Sequence, residues 1–194
     1  MKNAKIKKMT SMALLIALTV VLQLLGSVLP RVGPFGLSFV LIPIVVGAAV
    51  YGPGAGAVLG GAFGVIVCFC SYNGLDGGGF MVWQASPLLC ILVVMLKGIL
   101  AGVFSGWAYR LFADKNPYLA MLAAAFICPV VNTGIFLAGM SLFFMDVLEV
   151  WAGGSNIAGY LLSGIILVNF VPELIINLVF SPAGQRIVHA VKKM

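Results

Sequence analysis

The stretch "SFVLIPIVVGAAVYGPGAGAVLGGAFG", residues 38 to 64, consists of two strongly apolar segments separated by a turn sequence. Gly52-Pro53-Gly54 stands between them, and dipeptides of glycine and proline are among the strongest signals for a chain reversal. The stretch therefore predicts two membrane helices joined as a tight hairpin. Pro43 lies within the first segment, which is also short, so we expect that helix to be irregular or tilted.

The composition of the whole chain indicates an integral membrane protein. Of its 194 residues 62% are hydrophobic and 8% are charged, with a mean hydropathy of +1.18, whereas soluble domains carry about 25% charged residues. The net charge is +6, but the basic residues lie at the chain ends and between apolar runs, so we expect no nucleic-acid partner. The Lys-rich start precedes a long apolar run without a cleavage site before Pro30, which favours an uncleaved first span.

Six apolar runs approach the ~20 residues that a membrane helix needs. They cover residues 10–29, 37–51, 55–71, 86–111, 118–145 and 157–180. We predict an all-α membrane protein in which residues 1–194 form one domain, a compact bundle of six transmembrane helices. This topology leaves only Arg31 outside and gathers nine basic residues on the other side, namely Lys2, Lys5, Lys7, Lys8, Arg110, Lys115, Arg186, Lys192 and Lys193. Because basic residues collect in the cytoplasm, both termini are predicted to be cytoplasmic, in a multi-pass protein of a prokaryotic plasma membrane.

Two longer segments are predicted to lie outside the membrane, "YNGLDGGGFMVWQA" (72 to 85) and "DVLEVWAGGSN" (146 to 156). Each combines glycines with aromatic and acidic residues, which is typical of loops that close over a ligand. Asn73 and Trp83 in the first loop are candidate substrate contacts. Alternatively, Trp83 and Trp151 belong to the aromatic belt of the membrane interface and the glycines are simple connectors.

Four polar residues lie deep within the later apolar runs: Lys97, Asn132, Asn169 and Glu173. A charged side chain at the centre of a membrane helix costs roughly 2.5 to 3.5 kcal/mol and usually marks a site or a pathway. Asn169 and Glu173 are four residues apart, so they share a helix face, and Pro172 beside them favours a kink. We predict that the four residues line one outward-facing polar cavity that binds a substrate. The alternative is a structural ion pair between Lys97 and Glu173.

Small residues at spacing four predict close helix packing. Gly56, Gly60 and Gly64 repeat this spacing in the third span, where we expect packing inside the bundle, and Ala13 and Ala17 repeat it in the first. The four cysteines, Cys68, Cys70, Cys90 and Cys128, lie in apolar runs without a paired motif, so we expect neither metal nor disulfide. The sequence has no HExxH, GxSxG or Walker A motif. We therefore expect no catalytic residues, no cofactor, and no use of ATP by this chain alone.

The chain resembles the substrate-binding S components of energy-coupling factor (ECF) vitamin transporters over nearly its whole length. The resemblance lies in the basic N-terminus leading into Ala13-x-x-x-Ala17, the 38 to 64 stretch, "NTGIFLAG" (132 to 139) and "NFVPE" (169 to 173). It implies a vitamin receptor that joins a membrane coupling subunit and two cytoplasmic ATPases and then reorients to release its ligand. It also implies that Ala13 and Ala17 contact the coupling subunit.

The identity of the vitamin is a separate question, because one fold serves several ligands. A lysine, two carboxamides and a carboxylate suit a small acid with hydroxyl or amide groups. Pantothenate is therefore our first choice, ahead of riboflavin, folate and cobalamin. A function of another class also stays open, a stand-alone secondary transporter that couples its substrate to protons through Glu173. Such transporters usually show internal repeats, and we find no second copy of the 38 to 64 pattern or of "NFVPE".

Overall fold

A computed structural model describes residues 2–28 and 39–193, and these two ranges are helical almost throughout. The helices are α1 (Lys2–Val28), α2 (Leu41–Tyr51), α3 (Pro53–Tyr72), α4 (Gly77–Ala85), α5 (Pro87–Ala113), α6 (Pro117–Phe143), α7 (Met145–Ala152), α8 (Ile157–Tyr160), a π-helical segment (Leu161–Phe170) and α9 (Val171–Lys193). The predicted start of the second span and the predicted outer residue Arg31 lie outside the described residues.

The predicted hairpin is confirmed, because α2 and α3 pack together and a single residue, Gly52, separates them. Gly52 has φ 91°, which an L side chain rarely adopts, and the guanidinium of Arg110 occupies the space where its Cβ would stand. The predicted irregularity at Pro43 is wrong. Pro43 lies in the first turn of a regular α2, where the missing N–H would have had no partner within the helix.

A seam of glycines joins α3 to α5. A Cβ on Gly60 would fall on the carbonyl oxygen of Gly98, and one on Gly56 would fall on that of Gly102. A Cβ on Gly64 would stand 2.7 Å from the Met95 sulfur. The predicted packing role of these glycines is therefore confirmed, and Gly60 and Gly56 have glycine partners on α5. This close approach fixes the position of α5 along the axis of α3, and with it the positions of the residues next to the α5 glycines.

The two segments predicted as outer loops contain helices, α4 and α7. The sequence did not predict α4 because it begins with three glycines, and each glycine destabilises a helix by about 1 kcal/mol relative to alanine. Tertiary packing offsets that cost, because Val82 of α4 is buried in the core. The indole N–H of Trp151 on α7 donates a weak hydrogen bond to the sulfur of Met81 on α4, at 3.3 Å, so the two short helices lie together.

Five helical stretches in the described ranges are long and apolar enough to cross a membrane. They are Ile6–Ser27, Pro53–Tyr72, Pro87–Ala113, Pro117–Phe143 and Ile157–Val191, and the apolar helix Leu41–Tyr51 is shorter. The last stretch has 35 residues and extends well beyond the predicted end at 180. Pro182 did not end it, whereas at Pro172 the π-helical segment has just given way to α9. All-helical membrane architecture is confirmed, and a count of six spans stays a prediction.

The bundle has two chemically distinct ends. At the first, which we call the basic end, the Lys8 ammonium lies 5.8 Å from the centre of the Tyr51 ring and Arg110 contacts Gly52. Val191, near the end of α9, borders the same groove as Lys8. The end of α3, the start of α5 and the end of α6 lie at the opposite end together with α4 and α7. We call this the cavity end.

Candidate functional site

A polar cavity of about 70 Å³ lies at the cavity end, between α3, α4, α5, α6 and the π-helical segment. Its polar lining consists of Ser71, Asp76, Lys97, Asn132, Thr133 and Asn169. Apolar side chains, among them Val67, Val94 and Phe136, form much of the remaining wall. Three of the four predicted cavity residues therefore meet, although they come from three different helical stretches.

Lys97 supplies the cationic group of the cavity. Its ammonium lies 5.0 Å from the ring centre of Phe136 and 5.4 Å from that of Phe63. Aromatic faces at this distance attract a cation, but they accept none of its N–H groups as a carboxylate does. Gly98, the next residue, belongs to the glycine seam, so close packing of α5 against α3 positions Lys97. The ammonium is thus held in place with hydrogen-bond donors available to a ligand.

Two buried polar atoms beside Lys97 have no hydrogen-bond partner among the described residues. They are the hydroxyl oxygen of Ser71, whose residue is 0% exposed, and the side-chain oxygen Oδ1 of Asn132, whose residue is 7% exposed. An unsatisfied buried polar group costs about 1 to 3 kcal/mol, and such groups call for an explanation. Both residues line the cavity, so a polar ligand placed there would supply the missing partners.

Asp76 and Ser71 bring a second polar pair to the cavity where α4 begins. A Cβ added to Gly79 would collide with the Ser71 hydroxyl and would stand 2.8 Å from the Asp76 carboxylate. The absence of a side chain at Gly79 therefore allows α4 to sit directly over these two groups. Helix α4 covers this side of the cavity and supplies Gly79 and Val82 to its lining, and Asp76 precedes the helix.

Glu173 lies next to the cavity and not in its lining. Its side chain is buried, with the residue 5% exposed, and its backbone carbonyl accepts a hydrogen bond from the Asn177 amide at 2.8 Å. Lys97 attracts it electrostatically. Within residues 2–28 and 39–193, however, the Glu173 carboxylate and the Lys97 ammonium form no ion pair within 4.0 Å. The predicted alternative of a direct Lys97–Glu173 ion pair is therefore not the arrangement seen.

Comparison with known proteins identifies the family. The family described as "ECF transporter, substrate-specific component" matches residues 7–183, which is most of the chain. This chain belongs to that family. Its members are vitamin-binding subunits of membrane transporters and are not enzymes. The chain is accordingly a substrate-binding subunit for vitamin uptake and a multi-pass protein of the cell membrane.

One curated relative matches the chain over nearly its whole length. The pantothenic acid transporter PanT of Lactococcus lactis subsp. cremoris (strain MG1363) is 27% identical to this chain over 193 residues, covering 94% of both proteins. No solved structure matches the chain.

Two predicted contacts of this substrate-specific component lie away from the cavity. Asn73 is exposed just after α3, and its amide donates a hydrogen bond to the Phe69 carbonyl at 2.8 Å. Trp83 packs edge-on against Tyr72, with the ring centres 5.7 Å apart. Neither lines the cavity as it stands. Their role as substrate contacts stays a prediction, and Asn73 already has a structural one as the residue that ends α3.

The two alanines assigned to partner contact are exposed on α1. Met12 and Leu15 of the same helix pack against the core, whereas Ala13 and Ala17 point away from it. Almost all of α1 is similarly exposed, since only 6% of its most apolar segment is buried against the rest of the chain. A helix this lightly packed against its own chain leaves the Ala13 and Ala17 face accessible to another membrane helix. Contact with a coupling subunit stays a prediction.

Sequence reasoning missed three polar residues of the cavity, Ser71, Asp76 and Thr133. Ser71 ends the predicted third span and Asp76 lies within the predicted outer loop, so nothing in the sequence places them against Lys97. Thr133 adjoins Asn132, and both are buried. The available signal was the run of glycines at 77–79, since such a run permits a helix to lie directly on neighbouring polar groups.

Proposed function

We propose that this chain captures pantothenate in the polar cavity and delivers it to the cytoplasm with ATPase partners. The observation that carries the proposal is that Lys97 shares the cavity with the Ser71 and Asn132 side-chain oxygens, which have no hydrogen-bond partner among the described residues. Pantothenate has one carboxylate, two hydroxyls and one secondary amide. Its carboxylate suits Lys97, and its hydroxyl and amide N–H groups are donors for the two oxygens. The name of the L. lactis relative points to the same vitamin.

Helix α4 is proposed to act as the lid of this site. A cavity of about 70 Å³ holds only a few water molecules, whereas sites for drug-sized ligands span about 300 to 1,000 Å³. Pantothenate therefore needs α4 to move outward before it enters. The three glycines at residues 77–79 begin this helix, and backbone freedom there suits a hinge. Closure would bring Asp76 and Gly79 back over the vitamin.

The single membrane domain is proposed to have six spans with both termini in the cytoplasm. The basic end then faces the cytoplasm, as the positive-inside rule requires, and the cavity end faces outward. Helix α2, which lies within the predicted span 37–51, would be the sixth crossing. In this orientation α1 would present Ala13 and Ala17 to the coupling subunit, on the helix that carries least packing of its own.

Titration calorimetry on the purified chain in lipid nanodiscs tests the ligand assignment. We expect saturable binding of pantothenate and much weaker binding of pantothenol, in which an alcohol replaces the carboxylate. Riboflavin, folate and cobalamin serve as the competing candidates. Mass spectrometry of the small molecules that co-purify gives an independent reading. Tight binding of one of these three without binding of pantothenate would overturn the assignment.

A further inference from the structure

Glu173 is a buried ionisable group that the proposed vitamin contacts leave without a role. Its carboxylate receives no hydrogen bond among the described residues, and the charge that acts on it most strongly is that of Lys97. Lys97 in turn lines the cavity, whereas Glu173 is buried and lies outside the cavity lining. Lys97 thus offers its charge both to a ligand in the cavity and to the buried Glu173 carboxylate.

Vitamin binding changes this balance of charge. A buried carboxylate stays ionised only where a cation compensates it. When the carboxylate of an anionic vitamin takes the Lys97 ammonium, two carboxylates share one cation in a site shielded from water. Two like charges in one site disfavour each other, so that one of the carboxyl groups retains a proton. Because the vitamin carboxylate contacts Lys97 directly, Glu173 is the group that must become neutral.

The neighbouring groups do not offer an alternative acceptor. The other titratable residues that interact electrostatically with Lys97 or Glu173 are Asp76, just before α4, Cys90 of α5, Cys128 of α6 and Cys68 of α3. A neutral thiol does not take up a proton. Asp76 differs from Glu173 in that it lines the cavity and has interactions of its own, so the Glu173→Gln variant separates the two carboxylates. Of the elements packed against α9, α2 carries only Tyr51, at the basic end, and the π-helical segment carries no titratable residue.

We propose, on the basis of the pantothenate assignment, that the vitamin anion binds together with a proton from water and that Glu173 accepts this proton. The carboxylate of Glu173 becomes a carboxylic acid, and the positive charge of Lys97 then compensates the vitamin carboxylate instead of that of Glu173. The negative charge of the vitamin and the positive charge of the proton cancel, so the net charge of the site does not change. Release of the vitamin reverses both steps. Glu173 tunes affinity without touching the ligand, which makes it a positioning residue.

Calorimetric titration of pantothenate into the nanodisc-embedded chain measures this proton directly. The apparent binding enthalpy is determined at several pH values from 6 to 9 in buffers of different ionisation enthalpy, and its slope gives the protons taken up per vitamin. We expect uptake that rises toward one with pH, and a Kd that weakens by up to about tenfold per pH unit. Pantothenol, which carries no charge, should bind the same protein without proton uptake.

The Glu173→Gln variant provides the matched protein, because glutamine resembles the protonated acid in shape and charge. Its pantothenate binding should be at least as tight as in the unaltered chain at pH 8, with no proton uptake and little pH dependence. Intact pantothenate binding with no proton uptake across the whole pH range would overturn the inference alone. So would a Glu173→Gln protein that keeps the original pH dependence. Absence of pantothenate binding at any pH would instead overturn the ligand assignment and the inference with it.

Discussion

The ammonium of Lys97 is the group whose removal tests the site most directly. Methionine keeps a long unbranched side chain in the cavity and removes the charge and the three N–H donors. The rings of Phe63 and Phe136, whose centres lie 5.4 and 5.0 Å from the ammonium, accept a thioether as readily as an alkyl stem. We therefore expect Lys97→Met to fold.

The expected loss of affinity follows from the lost contact. A hydrogen bond to a charged group contributes about 1.5 to 3 kcal/mol net, and each 1.4 kcal/mol is about tenfold in Kd. Lys97→Met should therefore weaken pantothenate binding by about ten- to hundredfold. Pantothenol binding, which uses no carboxylate, should change much less. Lys115→Met is the matched control, because Lys115 is exposed at the basic end and its removal should leave affinity unchanged.

Two measurements on the same preparations decide whether Lys97 contacts the ligand or belongs to a structural charge pair. Calorimetry gives the affinity, and thermal unfolding gives the stability. A structural pair predicts that Lys97→Met alone leaves Glu173 buried and unpaired, at about 3 to 5 kcal/mol of stability. It also predicts that the double variant Lys97→Met, Glu173→Leu recovers the stability and still binds. Our reasoning predicts instead a double variant that folds and binds weakly. Normal pantothenate affinity in a well-folded double variant would refute it.

Three further outcomes are expected. Gly60→Ala should lower the unfolding temperature, because the added Cβ would meet the Gly98 carbonyl and overpacking costs about 1 to 3 kcal/mol. Gly61→Ala is the control and should be neutral, because its Cβ would have its nearest neighbour at 3.7 Å. Equal unfolding temperatures for the two variants would contradict the close packing of the glycine seam. Ala13→Trp should abolish ATP-driven uptake in vesicles with partner subunits and leave vitamin binding intact, because bulk there blocks helix approach; loss of binding as well would argue against a partner-contact role. In vesicles that contain this chain alone, a proton gradient should drive no pantothenate accumulation, and robust accumulation would favour the secondary transporter.

Much of the fold followed from local chemistry. Apolar runs of sufficient length predict membrane helices because lipid offers no partner for free backbone groups, and the resulting positions of α3, α5 and α6 agree with the prediction within a few residues. The turn at Gly52 was equally readable, because only a residue without a side chain tolerates its backbone there. Local reasoning failed at α4, where Val82 and its neighbours pack into the core and so offset the poor helix propensity of three glycines.

The sequence by itself determined which polar residues lie at membrane depth, because each stands in an apolar run where a polar side chain is costly. Only the tertiary structure decided which of them share a cavity. Lys97 and Asn132 face Ser71 and Asp76 because the glycine seam brings α3 and α5 together and α4 folds over both, and these contacts join residues far apart in the chain. Glu173 is a charged residue within an apolar run, as Lys97 is, but it lies outside the cavity lining. The sequence does not decide this, because the rotation of each helix about its axis depends on the packing of its neighbours.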